Sequence, residues 1–350
     1  MDLYSLVAGL PLEVSHYSLE PLEHSTPVGW TRVSTVVRLE GAGHAGVGED
    51  VTYSAEDQRV FQATGTALPL SGQYTLDSFC RHLDRVELFP SPTETPSHNL
   101  YRRWAFESAA LDLALRQDHR SLGEVLGRVP GPVSYVMSLG LGEPASCDPL
   151  RSVLELYPEM RFKVDYSASW TAATVAALAE LGRVDVVDLK GQYRGAFEGP
   201  PGSASQYQMV AEGLPGVWIE DPEWTEETAA VLRPHRERVT WDAILHSVAD
   251  IVKLPVPPRS VNIKPSRFGF LRELFRTYEY CAARNIAMYG GGQFELGPGR
   301  KQIQCLAGLF HAAAANDVAP REFNAPELLP GLPISPLQPS PTVPGFAPQF

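Results

Sequence analysis

The chain has 350 residues, 44% hydrophobic and 20% charged, with a formal net charge of −12 and four cysteines. Such acidity argues against nucleic acid or an anionic membrane as partner, because both require basic surface, and no stretch reaches the ~18 apolar residues of a membrane span. Cys80, Cys147, Cys281 and Cys305 have neither CxxC spacing nor a histidine at ligand intervals, which points to core thiols of a reducing cytoplasm.

Residues 1–100 have the character of an α+β domain. MDLYSLVAGLPLEVSHY lacks the basic start and long apolar core of a signal peptide. TRVSTVVRLE (31–40) alternates as a strand, and GAGHAGVGED (41–50) supplies a glycine-rich turn and a second strand. Helices are expected between about 76 and 118. In YRRWAFESAALDLALRQ (101–117), Trp104, Ser108, Leu111 and Leu115 recur at helical spacing, with Asp112 and Arg116 at the edge of the buried face.

From GPVSYVMSLGLG (131–142) short apolar runs alternate with helical segments. Strands are expected at 132–139, 160–165, 184–189, 217–220, 239–242, 261–264 and 286–289. Helices are expected at 171–182, ended by Gly182, at 270–285, with Leu271, Leu274, Phe275, Tyr278 and Ala282 on one face, and at 301–316. This rhythm predicts a parallel barrel over 101–325, with an eighth strand short or replaced. The proline-rich segment 326–350 excludes regular helix and central strand and is expected to be disordered or packed extended on the first domain.

Five of these strands end in an ionisable residue: Lys163, Asp188, Glu220, Asp242 and Lys264, separated by 25, 32, 22 and 22 residues. Barrel enzymes carry their chemistry at the carboxyl ends of the strands, so the five side chains are expected to converge. Three carboxylates on adjacent strands suit a hard divalent cation such as Mg²⁺. The two lysines are then placed as acid/base groups beside a carboxylate substrate, where the metal would stabilise an enediolate.

The order Lys, Asp, Glu, Asp, Lys resembles the enolase superfamily, particularly its muconate-lactonising and mandelate-racemase-like branches. VWIEDP, VTWDAI and VNIKPSRFG resemble its fourth-, fifth- and sixth-strand motifs, and STVVRLEG with VGED resembles its capping domain. The resemblance implies a modified TIM barrel, (β/α)₇β, behind an N-terminal α+β capping domain. It also implies a Mg²⁺ ion held by Asp188, Glu220 and Asp242, and removal of an α-proton by Lys163 or Lys264. Racemisation or epimerisation, cycloisomerisation and syn-dehydration all remain open under it.

Two strand motifs depart from that pattern. Arg161-Phe-Lys163 stands where Lys-x-Lys is usual, and Asp188-Leu-Lys190 where Asp-x-Asn is usual. Arg161 and Lys163 share a strand face, so Arg161-x-Lys163 can replace the pair. Asp165 and Lys190 can pair across neighbouring strands, or Lys190 is a further acid/base or carboxylate-binding group. An alternative register through KVDYSASWT makes Asp165 the first metal ligand, at the cost of an extra strand carrying Asp188.

His246, four residues beyond Asp242, is a candidate substrate contact against a capping role. Asp221 is a candidate support for the ligands. In GGGQFELGPGR (290–300), amides near Gly291 and Gly292 are candidates to hold an anion, and Glu295 to orient a catalytic group. His24, Ser25 and Thr26 are candidate specificity residues. The competing readings are a metal-free class I aldolase with a Schiff base on Lys264, and an inactive barrel that only binds. A homo-oligomer is possible and the oligomeric state stays open, although barrels of this type often associate.

Overall fold

The computed structural model describes residues 2–25, 30–90, 92–93, 95–194, 197–325, 327–340 and 343–346. A short helix (Leu3–Ala8) precedes β1 (Pro11–Val14), which is followed by a three-stranded antiparallel sheet of β2 (His16–Ser25), β3 (Thr31–Gly41) and β4 (His44–Asp50). β5 (Gly72–Thr75) returns to pair with β1. The helix Ser97–Gln117 lies across β4. Glycine permits that approach, since a Cβ on Gly46 would sit 2.2 Å from Leu113 N and one on Gly48 2.0 Å from Ala105 O.

The same helix begins earlier than periodicity indicates and is buried nearly all round. Asp112, expected at its edge, is 1% exposed. Its carboxylate accepts from Val47 N (3.0 Å), Phe346 N (2.8 Å) and Arg116 Nε (3.0 Å), which makes burial of the charge tolerable.

The barrel strands are β6 (Met137–Gly140), β7 (Phe162–Asp165), β8 (Val184–Asp188), β9 (Trp218–Glu220), β10 (Val239–Thr240), β11 (Ser260–Ile263) and β12 (Ala287–Gly290). β6 to β10 form one parallel sheet in chain order, and β11 pairs in parallel with β12. Asn262 N donates to Trp241 O at 2.9 Å and joins the two groups. The first strand starts later than the expected 132, because Val133 pairs with Leu337 of the tail instead. The eighth position is filled by two bridges: Asn316 pairs with Tyr135 and Asp317 with Gly291. The barrel therefore closes without a full eighth strand.

The helix Pro298–Phe310 stops six residues before the expected end. Beyond it His311 Nδ1 donates to Asn316 Oδ1 at 2.7 Å, and that oxygen also accepts from Gly290 N at 2.7 Å. In the helix Leu271–Ala283 the buried face is completed by Cys281, whereas Ala282 is exposed. The helix Ala172–Leu181 ends at Gly182 in the left-handed conformation (φ 62), as its sequence indicates. All four cysteines are buried and free of disulfides. No helix among the described residues is long and apolar enough to cross a membrane.

Two contacts tie the antiparallel layer to distant chain. Glu49, at 1% exposure, accepts from Leu296 N (2.6 Å), Gly297 N (2.9 Å) and Gly299 N (3.0 Å) at the start of the helix Pro298–Phe310. Phe346 is fully buried with its ring edge-on to Trp104, and Leu122 N donates to Gly345 O at 3.1 Å. Earlier tail residues run along the barrel, where Tyr135 Oη donates to Pro333 O at 2.6 Å.

His311 gives the fold an acid-sensitive point. Burial pushes its imidazole down to about 4, while an unfolded histidine protonates near pH 6.5. Below pH 6.5 the unfolded chain therefore binds more protons, and stability falls as pH drops towards about 4. The expected loss between pH 7 and pH 5 is about 2 kcal/mol. Urea unfolding at the two pH values isolates this contribution as a difference: the stability gap between the native protein and His311→Gln should shift by about 2 kcal/mol from pH 7 to pH 5, against the native protein.

Candidate active site

Lys163 lies within β7, Asp188 and Glu220 end β8 and β9, Asp242 follows β10 by two residues, and Lys264 follows β11 directly. Asp165, Asp188 and Glu220 stand in register across β7, β8 and β9. On each strand the preceding residue (Val187, Ile219) packs outward into the helix layer, so alternation turns the acidic residue inward. Asp188, Glu220 and Asp242 are fully buried and offer ligand oxygens that all lie within 4.8 Å of one another.

Ammonium groups surround this triad. Lys163 Nζ is 2.7 Å from Glu220 Oε1 and 3.3 Å from Asp188 Oδ2. Lys190 Nζ bridges Asp188 Oδ2 (2.7 Å) and Asp165 Oδ1 (2.9 Å). Lys264 Nζ is 2.8 Å from Asp242 Oδ2, and Arg267 Nε is 3.3 Å from Asp242 Oδ1. Burial alone would push Lys163 down, but Glu220 and Asp188 outweigh it and hold its ammonium well above the ordinary lysine range. Burial, reinforced by Asp188 and Asp242, pushes the Glu220 carboxyl up to about 7. Against the same burial penalty, Arg267, Lys264 and Lys163 hold Asp242 below the usual carboxylate range.

The donor set fits a divalent cation. All three groups offer oxygen, and Glu220 Oε2 is buried with no hydrogen-bond partner. Asp242 Oδ1 likewise has no hydrogen bond of good geometry, despite the nearby guanidinium. An unpartnered carboxylate oxygen among three converging acids is a group that a divalent cation would satisfy.

Above the triad opens a cavity of about 920 Å³. Asp165, Lys190, His246, Lys264 and Gly292 line it, whereas Lys163, at 1% exposure, does not. Asp165 thus sits at the mouth and pairs with Lys190. Arg161 does not accompany Lys163. The register shift opposite Phe162 and Lys163 leaves Asp185 of β8 unpaired, and Arg161 Nε donates to both its carboxylate oxygens at 2.8 Å, towards the opposite end of the strands.

The His246 ring lies 2.9 Å from Arg267 O through Nδ1. The amides of the glycine run are largely committed. Gly290 N donates to Asn316, Gly291 N to Ile263 O (3.2 Å) and Gln293 N to Glu295 Oε1 (2.8 Å). What Gly291 supplies is room, because a Cβ there would come within 2.7 Å of Lys264 Cε. Glu295 is buried, accepting from Gln293 N and lying 3.7 Å from the Arg300 guanidinium. His24 and Ser25 belong to β2 and lie outside the cavity lining, and Thr26 lies outside the described residues.

Two family models cover most of the chain. One, described as the C-terminal domain of a domain of unknown function (DUF8230), matches residues 129–325, and its N-terminal counterpart matches residues 5–125. The chain belongs to the DUF8230 family.

Among characterised relatives, an N-succinylamino acid racemase of Amycolatopsis is 31% identical over 228 residues, which cover 61% of this chain and 59% of the racemase. The alignment thus spans less than two thirds of that relative. Among solved structures, a dipeptide epimerase from Enterococcus faecalis V583 superposes over 97% of this chain and 100% of its own, with a TM-score of 0.69 at 16% identity. A muconate cycloisomerase from Pseudomonas fluorescens superposes over 96% and 97%, with a TM-score of 0.66 at 18% identity. The fold of the DUF8230 protein is that of the enolase superfamily, a capped, modified TIM barrel, as its strand-end motifs indicated.

Several site residues of this DUF8230 protein escape sequence reasoning. Tyr193 Oη donates to Asp242 Oδ2 at 3.1 Å and so reaches from the loop after β8 to the end of β10. Arg267 is 6% exposed and donates to Ala243 O at 2.8 Å. Its position three residues after Lys264, within a motif already noted, was the available signal. Asp221, by contrast, is a candidate support already in the sequence; it is held at φ 49 and accepts from Asp242 N and Ala243 N at 2.8 Å each, just beyond β10. Trp30 and Tyr53 stack 6.0 Å apart on the wall formed by the N-terminal layer.

Proposed function

We propose that this DUF8230 protein is a Mg²⁺-dependent isomerase that removes and returns the proton α to a carboxylate, with an N-acylated amino acid as substrate. The observation that carries this reading is the buried Asp188–Glu220–Asp242 triad beneath a cavity that Lys264 enters. The three carboxylates would hold the ion, and Mg²⁺ would supply positive charge to a substrate carboxylate as its α-carbon becomes acidic. Lys264 is assigned the transferred proton, held at Nζ against Asp242. Lys163 balances Glu220 and Asp188 from below. Tyr193 and Arg267 keep Asp242 oriented, and Asp221 keeps its strand end in place.

The aromatic wall of Trp30, Tyr53 and Phe294 suits an apolar side chain or acyl group. The racemase activity named for the Amycolatopsis relative favours isomerisation over elimination.

The test is incubation with N-succinyl-L-phenylalanine and Mg²⁺ in D₂O, read by proton NMR and chiral chromatography. Deuterium at the α-carbon and appearance of the D enantiomer are expected, both abolished by EDTA. Lys264→Ala should lower the exchange rate by about 10²–10⁴-fold, the usual contribution of a general acid or base. Turnover that survives EDTA, with a borohydride-trapped adduct on Lys264, would replace this reading with Schiff-base chemistry.

A further inference from the structure

Lysine is scarce in this chain. Of 29 basic residues only five are lysines, and three of those five are Lys163, Lys190 and Lys264. The barrel mouth therefore concentrates a residue that the rest of the surface replaces with arginine. The three do not stand alike. Lys163 is 1% exposed, walled in by Glu220, Asp188 and Asp317, and is not among the residues that line the cavity. Lys190 and Lys264 both line the cavity.

Their placement is also symmetrical about the carboxylate row. Lys190 binds Asp188 at the β8 end, Lys264 binds Asp242 at the β10 end, and Glu220 lies between. Lys190 is, moreover, held in a backbone conformation that a lysine seldom adopts. Its φ is 55, in the left-handed region, and its N–H donates to Asp188 Oδ1 at 3.0 Å. A side chain with a Cβ takes that conformation at a cost, and such strain gathers at functional sites. Here it turns the Lys190 side chain back over Asp188 and towards Asp165 at the cavity edge.

We propose that Lys190, rather than Lys163, is the second amine that touches the substrate, facing it from the β8 side while Lys264 faces it from the β10 side. The inference rests on the functional reading above and deepens it. Lys163 is then a positioning residue that acts through Glu220 and Asp188. Asp165 is a positioning residue as well, because it holds the Lys190 ammonium out over the mouth of the barrel.

Amine footprinting separates these roles. The native protein with Mg²⁺ is acetylated at low reagent excess, with and without N-succinyl-phenylalanine, and each lysine is quantified by peptide mass spectrometry. Lys253 and Lys301 are exposed and calibrate the reagent. The expected result is labelling at Lys190 and Lys264 but not Lys163, with the substrate slowing labelling tenfold or more at Lys190 and Lys264 alone. A Lys190 that stays unlabelled, or that substrate fails to protect while Lys264 is protected, overturns the inference and leaves the functional reading standing. Protection of neither lysine overturns both.

Discussion

Asp242→Ala should abolish divalent-cation binding and destabilise the cation-free protein by about 3–5 kcal/mol, the usual cost of removing one partner from a buried ion pair. Asp242 is fully buried and serves three groups: Lys264 Nζ at 2.8 Å, Tyr193 Oη at 3.1 Å and Arg267 Nε at 3.3 Å. Its removal leaves two cations and a hydroxyl in low dielectric without their nearest acceptor. Asp242→Asn keeps the shape and one acceptor oxygen, so its stability loss should be smaller. Its cation affinity should nevertheless fall by more than about 100-fold, beyond the 10–100-fold typical of residues that merely support a ligand. Urea unfolding in EDTA and titration calorimetry with Mg²⁺ measure the two effects separately. A variant that retained wild-type affinity would remove Asp242 from the ligand set.

Arg102→Met should cost a similar amount, about 3–5 kcal/mol, at a point remote from the chemistry. Arg102 and Asp50 are both completely buried, with Nε 2.8 Å from Oδ2. The guanidinium also donates to Leu88 O and Asp57 O at 3.1 Å each, and lies between the rings of Phe61 (4.0 Å) and Phe89 (3.6 Å). Methionine would fill the space between the rings but leave a buried carboxylate and two carbonyls unanswered. Arg102→Met combined with Asp50→Asn should recover part of the loss, because no net charge is then stranded. Losses in the double variant equal to the sum of the singles would show that the two residues do not interact.

The strand ends were legible because two constraints coincide there. A residue must face inward to reach the site, and it must be ionisable to do chemistry, so Glu220, Asp242 and Lys264 stand out against apolar neighbours. Periodicity alone failed where the backbone departs from regularity. The register shift in β8 leaves Asp185 free to take Arg161, and two isolated bridges at Asn316 and Asp317 do the work of a strand.

Burial of charge was equally hidden. Asp112 looks like a surface residue by type, and only the distant Val47 and Phe346 amides explain its position. The left-handed turn at Lys190 has no sequence signature, because glycine and asparagine are the residues that usually announce one.

The Glu49 and Asp112 contacts also impose an order on biosynthesis. Glu49 waits for the Gly299 amide, 250 residues later, and Asp112 for the Phe346 amide, 234 residues later. At about 5–20 residues per second, the first interval alone lasts on the order of 10–50 s. Throughout that time the nascent antiparallel layer and the helix across it carry carboxylates whose final donors have not left the ribosome. Although this part emerges before the barrel, it is completed only after it.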